Sequence, residues 1–151
     1  MVHNNRITNR DVMNLLTQYA NEVAVTIERF GNDYNQFIHD FVFFNALSMP
    51  IYQFAEQTLT LSEDAKELFG DICWHAIRGM RNLFAHAYGT MSPIDIWETA
   101  TTDIPLLTDK INVVLNSNSH ILDKIADGRK VNLNHRIINS SKSAHDYTVV
   151  F

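Results

Sequence analysis

Apolar residues recur at helical spacing through the first third of the chain. They follow a polar stretch that ends in a capping sequence at Thr8, and they predict a helix over residues 9–30 that ends at Gly31. A second helix is expected from residues 33–35 to about residue 58. Pro50 falls inside it, so we expect a kink there before the helix resumes.

The same spacing continues to about residue 115. A short helix is expected over 61–70 and a longer one over 72–87. Ser92 followed by Pro93 is typical of a helix start, and the apolar side of that helix continues to Leu115. Pro105 lies within it and predicts a bend or a break. Successive helices with short links predict an all-α protein, an antiparallel bundle of about four to five helices.

Charge separates this body from the remainder of the chain. Residues 1–115 carry seven Lys and Arg against fourteen Asp and Glu, whereas residues 116–151 carry five against three. We therefore divide the chain into a helical domain, 1–115, and a mildly basic, less regular C-terminal extension, 116–151. Within the extension we expect one helical turn over 121–125 and a strand-like end over 149–151.

Composition excludes several classes of protein. A chain of 151 residues, 46% of them hydrophobic, suits one domain with a substantial core. Its N-terminus is polar, no apolar run is long enough to span a membrane, and the single Cys73 forms no intrachain disulfide; we expect a cytoplasmic protein. The net charge of −5 argues against a broad electrostatic grip on nucleic acid. Any RNA chemistry needs a local cationic site.

Residues 71–88 supply such a site. Wound as a helix, this segment places Arg78, Asn82, His75 and His86 within an arc of about 140° that begins at Arg81. The opposite side is apolar and includes Cys73, Ile77, Leu83 and Phe84. Within this segment, no acidic residue follows Asp71. A solvated surface helix is the ordinary explanation of such a face.

Arg81 and His86 do not point the same way, because five residues correspond to about 140° around a helix. Three arrangements would bring them together: the long Arg81 side chain reaches around the helix toward His86, the helix is distorted near Gly79, or a second subunit completes the pocket.

The segment resembles the signature of HepT-like proteins, a branch of the HEPN family. The resemblance rests on Ile77-Arg-Gly-Met-Arg-Asn-Leu-Phe-Ala-His-Ala-Tyr88, in which Arg81, Asn82, His86 and Tyr88 match the family's Arg-Asn-x-x-x-His-x-Tyr motif. Trp74 and the later Ile96-Trp97 also fit, and the helix order agrees over about residues 9–115. The resemblance implies a homodimer in which two copies of the motif face each other across a cleft.

The resemblance also implies RNA cleavage without a metal or another cofactor. His86 is then the group that moves the proton of the 2′-hydroxyl, since an imidazole exchanges protons near neutral pH. Arg81 offers a planar pair of donors to the phosphate as negative charge builds. Asn82 binds the phosphate or orients His86, and Arg78 widens the positive patch or forms a surface salt bridge.

Tyr88 has two interpretations. It is either a partly buried aromatic residue at a helix end or, as the resemblance implies, the hydroxyl to which a partner nucleotidyltransferase antitoxin attaches AMP. The added phosphate would compete with RNA for the cationic pocket.

Three functions follow from these observations. The first is an endoribonuclease toxin held in check by a nucleotidyltransferase. The second is a catalytically silent subunit that binds such a partner or a nucleotide. The third is a helical scaffold in which the motif is coincidental.

Overall fold

The computed structural model describes residues 7–117, 121 and 122, and this part of the chain is all-α, as the sequence predicts. Four long helices carry the architecture and three short ones connect them. In chain order the helices are α1 (Asn9–Phe30), α2 (Tyr34–His39), α3 (Phe41–Thr58), α4 (Glu63–Lys66), α5 (Trp74–His86), α6 (Pro93–Glu98) and α7 (Ile104–Ser117).

Local capping explains where α1 begins and ends. The Thr8 side chain accepts a hydrogen bond from the backbone N–H of Asp11, and the Asp11 carboxylate accepts one from the backbone N–H of Thr8. This reciprocal pair satisfies backbone donors that no helical carbonyl can reach. At the other end Gly31 has a φ of +88°, a conformation that disfavours residues with a Cβ. The predicted bounds of this helix are confirmed.

The second predicted helix is interrupted at Asp40, where no break was expected, and beyond Pro50 it continues to Thr58, its expected end. Asp40 is extended, and its carboxylate accepts hydrogen bonds from the backbone N–H groups of Val42 and Phe43, so it caps a new helix. Pro50 lies inside α3, which continues past it to Thr58. The cap at Asp40 therefore divides the predicted helix into α2 and α3.

The disturbance predicted at Pro105 is present just before it, as a π-helical segment over Thr99–Asp103. Proline has no backbone N–H, and its ring crowds the carbonyl four residues earlier, which belongs to Thr101. The ladder is wider here, with the backbone N–H of Ile104 donating to the carbonyl of Thr99. The chain then enters α7 with Pro105 in its first turn.

The core lies around α3, which packs against α1 and α5, while α1 also packs against α7. Phe37 from α2 and Phe43 from α3 are fully buried and meet edge to face at 5.4 Å between ring centroids. Trp97 from α6 contacts both rings. Phe37 and Phe43 are therefore central to the core. Phe41, by contrast, is 77% exposed.

The entry to α5 is held from two sides. Lys66 lies over the ring of Trp74, with Nζ 6.0 Å from the ring centroid, and Trp74 packs edge to face on Phe69. Asp71, just before the helix, is ion-paired with Lys110 of α7. These contacts tie the helix that carries the motif to the remainder of the bundle.

Little of the C-terminal extension falls within the described residues. Residues 121 and 122 are helical, in agreement with the predicted turn, and Leu122 is buried against the core. The rest of that turn, the strand-like end and the function of the extension lie outside the described residues. Among the helices that the structure describes, none is long and apolar enough to cross a membrane.

Candidate active site on α5

The polar face predicted for α5 is exposed. His75, Arg78, Asn82 and His86 are exposed and Arg81 is partly buried. The predicted apolar side is narrower than expected, because Ile77 and Phe84 are its buried residues. Leu83 is 50% exposed and Cys73 is also exposed, contrary to the helical-wheel expectation.

Arg81 turns toward α3 and pairs with Glu56. Its Nε donates to Glu56 Oε2, and a terminal nitrogen donates to Glu56 Oε1 at 3.2 Å. The other terminal nitrogen donates to Oδ1 of Asn82 at 3.3 Å. A guanidinium has five N–H donors, so this arrangement leaves one on each terminal nitrogen. The carboxylate fixes the plane of the guanidinium, and the remaining donors are available to an anion.

The ion pair stabilises both charges. The hydrogen bond from Arg81 lowers the pKa of the Glu56 carboxyl, and the same bond from Glu56 raises the pKa of Arg81. Glu56 was not singled out from the sequence, although a signal was there. It is the one charged residue in the eighteen residues of α3.

His86 is the last residue of α5 and is exposed. The helix is unbroken across Gly79, so the distortion considered from the sequence is not seen, and Arg81 reaches α3 instead of His86. Within the described residues, the His86 imidazole has no hydrogen-bond partner. In a single chain, Arg81 therefore contacts α3 while the His86 side chain is exposed.

Tyr88 lies beyond α5, in a 3₁₀ turn over Tyr88–Thr90. The residue is 37% exposed, and its hydroxyl donates to Oδ1 of Asn45 on α3 at 2.8 Å. Its ring packs on Phe44 and stacks on Phe84, and Phe84 contacts Tyr52. Tyr52 lies one turn of α3 before Glu56, the partner of Arg81, so a row of aromatic rings leads from Tyr88 toward the Glu56–Arg81 pair.

A groove of about 470 Å³ opens between α3 and α5 beside these rings. Tyr52, Phe84 and Tyr88 supply its aromatic walls, and Asn45 and Ser48 supply its polar atoms. We call it the α3–α5 groove. The groove lies between the helix that carries the motif and residues of α3 that are not part of the motif.

A larger groove of about 660 Å³ lies between α1 and the segment leading into α7. Glu28 and Asp109 are its charged lining residues, and Ala24 lies on its wall. We call it the α1–α7 groove. In the described part of the chain, no group of three His, Cys, Asp or Glu residues is placed to hold a metal ion.

Comparison with known proteins identifies relatives of this chain. A protein of Methanocaldococcus jannaschii named "Putative RNase" is 26% identical over 82 residues, covering 54% of this chain and 75% of the relative. A protein of Caldanaerobacter subterraneus subsp. tengcongensis with the same name is 28% identical over 101 residues, covering 66% of this chain and 90% of the relative. No solved structure matches.

A family model described as "Ribonuclease HepT-like" matches residues 20–114, more than half of the chain, and this range includes the whole Arg81–Tyr88 motif. The protein belongs to the HepT-like ribonuclease family.

Proposed function

We propose that this protein is a metal-independent endoribonuclease that uses Arg81, Asn82 and His86 at a dimer cleft. Membership of the family and the names of both relatives support ribonuclease activity. The observation that carries the assignment of the catalytic residues is that α5 holds both a fixed, partly buried guanidinium, Arg81, and an exposed imidazole, His86.

The chemistry needs a proton acceptor, a proton donor and a cation at the phosphate. The 2′-oxygen attacks phosphorus, the bond from phosphorus to the 5′-oxygen breaks, and a 2′,3′-cyclic phosphate forms. In a dimer one His86 takes the proton of the 2′-hydroxyl, and the other, protonated, gives a proton to the leaving 5′-oxygen. Arg81 donates its remaining N–H groups to the phosphate oxygens as their charge increases, and Asn82 supports its orientation.

A second copy of this chain fits the exposed end of α3. Ile38, Phe41 and Val42 are 41%, 77% and 49% exposed and lie together at the junction of α2 and α3. Because Tyr88 packs on Phe44 and Asn45, the C-terminal end of α5 lies beside this apolar edge. A twofold contact there would bring the two copies of His86 toward one cleft.

Control by a partner is the second part of the proposal. We place the protein in a toxin–antitoxin pair, with Tyr88 as the hydroxyl that a nucleotidyltransferase antitoxin modifies with AMP. The exposure of Tyr88 supports access to its hydroxyl, and the row of rings from Tyr88 to Tyr52 leads toward the Glu56–Arg81 pair. A phosphodiester added there brings negative charge next to the cation that RNA requires.

One observation favours the alternative, a catalytically silent subunit that binds a nucleotidyltransferase or a nucleotide. The Glu56 carboxylate already neutralises Arg81 within one protomer. A phosphate must compete with that carboxylate or share the guanidinium with it. An inactive purified protein that still binds its partner would identify the alternative as correct.

The ribonuclease proposal is tested with purified protein and RNA in excess EDTA. Wild type should cleave and leave a 2′,3′-cyclic or 3′ phosphate. His86→Ala and Arg81→Ala should each lose about two orders of magnitude in rate. His75→Ala is the matched control, because His75 is exposed on the same helix. A requirement for divalent metal, or normal cleavage by His86→Ala, would show the mechanism to be wrong.

Tyr88→Phe tests the control mechanism separately. The variant keeps the ring and its stacking and removes the acceptor oxygen, so it should fold, escape modification and stay toxic when the partner is co-expressed. Mass spectrometry of the co-expressed pair locates the AMP. AMP on another residue, or neutralisation of Tyr88→Phe by the partner, contradicts this part and leaves the ribonuclease proposal standing.

A further inference from the structure

The α3–α5 groove has the make-up of a site for a flat, uncharged, aromatic ligand. Its volume of about 470 Å³ falls in the usual range for small-molecule sites, roughly 300–1,000 Å³. Three of its seven lining residues are aromatic and none carries a charge. Tyr88 and Phe84 stack at 6.1 Å with an angle of 28° between their planes, so they form one continuous aromatic wall.

The polar atoms of the groove suit the edge of a nucleobase. The Asn45 carbonyl oxygen accepts from Tyr88, which leaves the amide N–H groups of Asn45 to donate. Ser48 is 2% exposed, and its hydroxyl donates to the backbone carbonyl of Phe44, so its oxygen can accept from a ligand. The lining residues therefore include a donor and an acceptor, and every nucleobase presents both kinds of group at its edge.

The position of the groove points to RNA rather than to a free metabolite. Tyr52 lines the groove and lies one turn of α3 before Glu56, whose carboxylate holds Arg81. The backbone phosphate of a base held against Tyr52 therefore falls on the side of the groove where the guanidinium lies. Base stacking gives affinity without regard to charge, and the arginine supplies the phosphate contact, which is the usual division in single-strand recognition.

We propose that the α3–α5 groove is a subsite for one base of the RNA substrate, next to the scissile phosphate. The base stacks on the aromatic wall and its edge meets Asn45 and Ser48. This inference rests on the proposed function, because it takes Arg81 as the group at the scissile phosphate.

The probe for the test is a 2′-O-methyl RNA tetranucleotide that contains 2-aminopurine. It cannot be cleaved, because the attacking hydroxyl is blocked, and its fluorescence is quenched when the base stacks. Wild type should quench it. Tyr52→Leu should weaken binding about tenfold or more, the scale of one lost stacking contact, whereas Tyr52→Phe should restore it.

A second pair of variants guards against a folding defect in Tyr52→Leu. Ala85 is exposed on the groove wall, so Ala85→Phe fills the groove from its rim and should abolish quenching. Ala24→Phe is the matched control, since Ala24 is an exposed alanine on the wall of the α1–α7 groove. Circular dichroism and sedimentation check that each variant keeps the fold and oligomeric state of the wild type.

The outcomes separate this inference from the ribonuclease proposal. Quenching by wild type with loss in Ala85→Phe and Tyr52→Leu supports the subsite, whether or not the protein cleaves RNA. Cleavage of RNA without quenching, or equal quenching by Ala85→Phe, overturns the subsite and leaves the ribonuclease proposal intact. Equal affinity for the monophosphate of 2-aminopurine riboside would show a free-nucleotide site and would also overturn the inference.

Discussion

The α3–α5 and α1–α7 grooves are of similar size and differ in their surroundings. The α1–α7 groove is the larger, about 660 Å³ against about 470 Å³, but its charged lining residues are Glu28 and Asp109. The α3–α5 groove has an uncharged aromatic lining, and its Tyr52 lies one turn of α3 from the Glu56 that holds Arg81. The carboxylates of the first groove repel a phosphate backbone, whereas the second has the remaining N–H donors of Arg81 nearby.

Volume alone does not distinguish the two grooves as binding sites. The α3–α5 groove alone combines stacking surface, hydrogen-bonding atoms and a neighbouring cation. Substitutions near each groove test whether the difference between the α3–α5 and α1–α7 grooves is functional.

The largest effect is expected at the apolar edge of α3, on the side of the α3–α5 groove. Burying a Phe contributes about 1.5–3 kcal/mol, and a twofold dimer buries two copies. Phe41→Ser should therefore weaken dimerisation by about a hundredfold to ten-thousandfold, measured by sedimentation. The monomer should keep its fold, because Phe41 is 77% exposed in one protomer.

Val25→Ser, on α1 and outside the proposed contact, is the control. Val25 is 51% exposed on α1, and its replacement should leave the dimer unchanged. A wild-type protein that is monomeric at micromolar concentration, or equal effects of the two substitutions, would contradict the proposed interface.

The next effect concerns Asp103, in the segment that leads into α7. Burial raises the pKa of its carboxyl from 3.8 to about 6, and the nearby Glu98 carboxylate adds to the increase. The folded state therefore holds the proton more tightly than the unfolded state. The stability associated with this group is fully present below about pH 4 and is lost as pH rises through about 6.

Asp103→Asn removes the charge and keeps the shape of the side chain. It should raise the free energy of unfolding at pH 8 by at most about 3 kcal/mol and change it little at pH 4, as urea titrations at both pH values would show. Asp109→Asn, an exposed residue of α7, should have little effect at either pH. A gain at pH 4 as large as that at pH 8 would contradict the assignment to Asp103.

The smallest expected effect belongs to Glu56, which orients Arg81. Glu56→Gln keeps an acceptor oxygen and removes the charge, so the guanidinium is held less firmly while phosphate meets less competition. We expect kcat to fall about tenfold, with KM unchanged or lower. Steady-state kinetics on a short RNA measures both.

Glu28→Gln, an exposed residue of the α1–α7 groove, is the matched control and should leave both constants unchanged. An unchanged kcat in Glu56→Gln would show that the ion pair is a surface contact without a positioning role. A higher kcat would show instead that Glu56 inhibits, which favours the silent-subunit alternative.

The bounds of α1 and the polar face of α5 could be predicted from the sequence because they depend on residues close together in the chain. The bounds of α1 follow from the capping box at Thr8 and the glycine at position 31. The exposed polar face of α5 follows from helical periodicity, and the motif within it is continuous in sequence. Local signals also compete, and the stronger one decides, so the cap at Asp40 rather than Pro50 divides the second helix.

The residues that surround the motif depend on how the helices pack. Arg81 pairs with Glu56, which is 25 positions away, and Tyr88 bonds Asn45, which is 43 positions away. These contacts depend on the register in which α3 packs against α5, and that register results from many apolar contacts acting together. Helical periodicity states which side of a helix is polar. It does not state which partner that side meets, because the partner belongs to another helix whose position is fixed only when the core is packed.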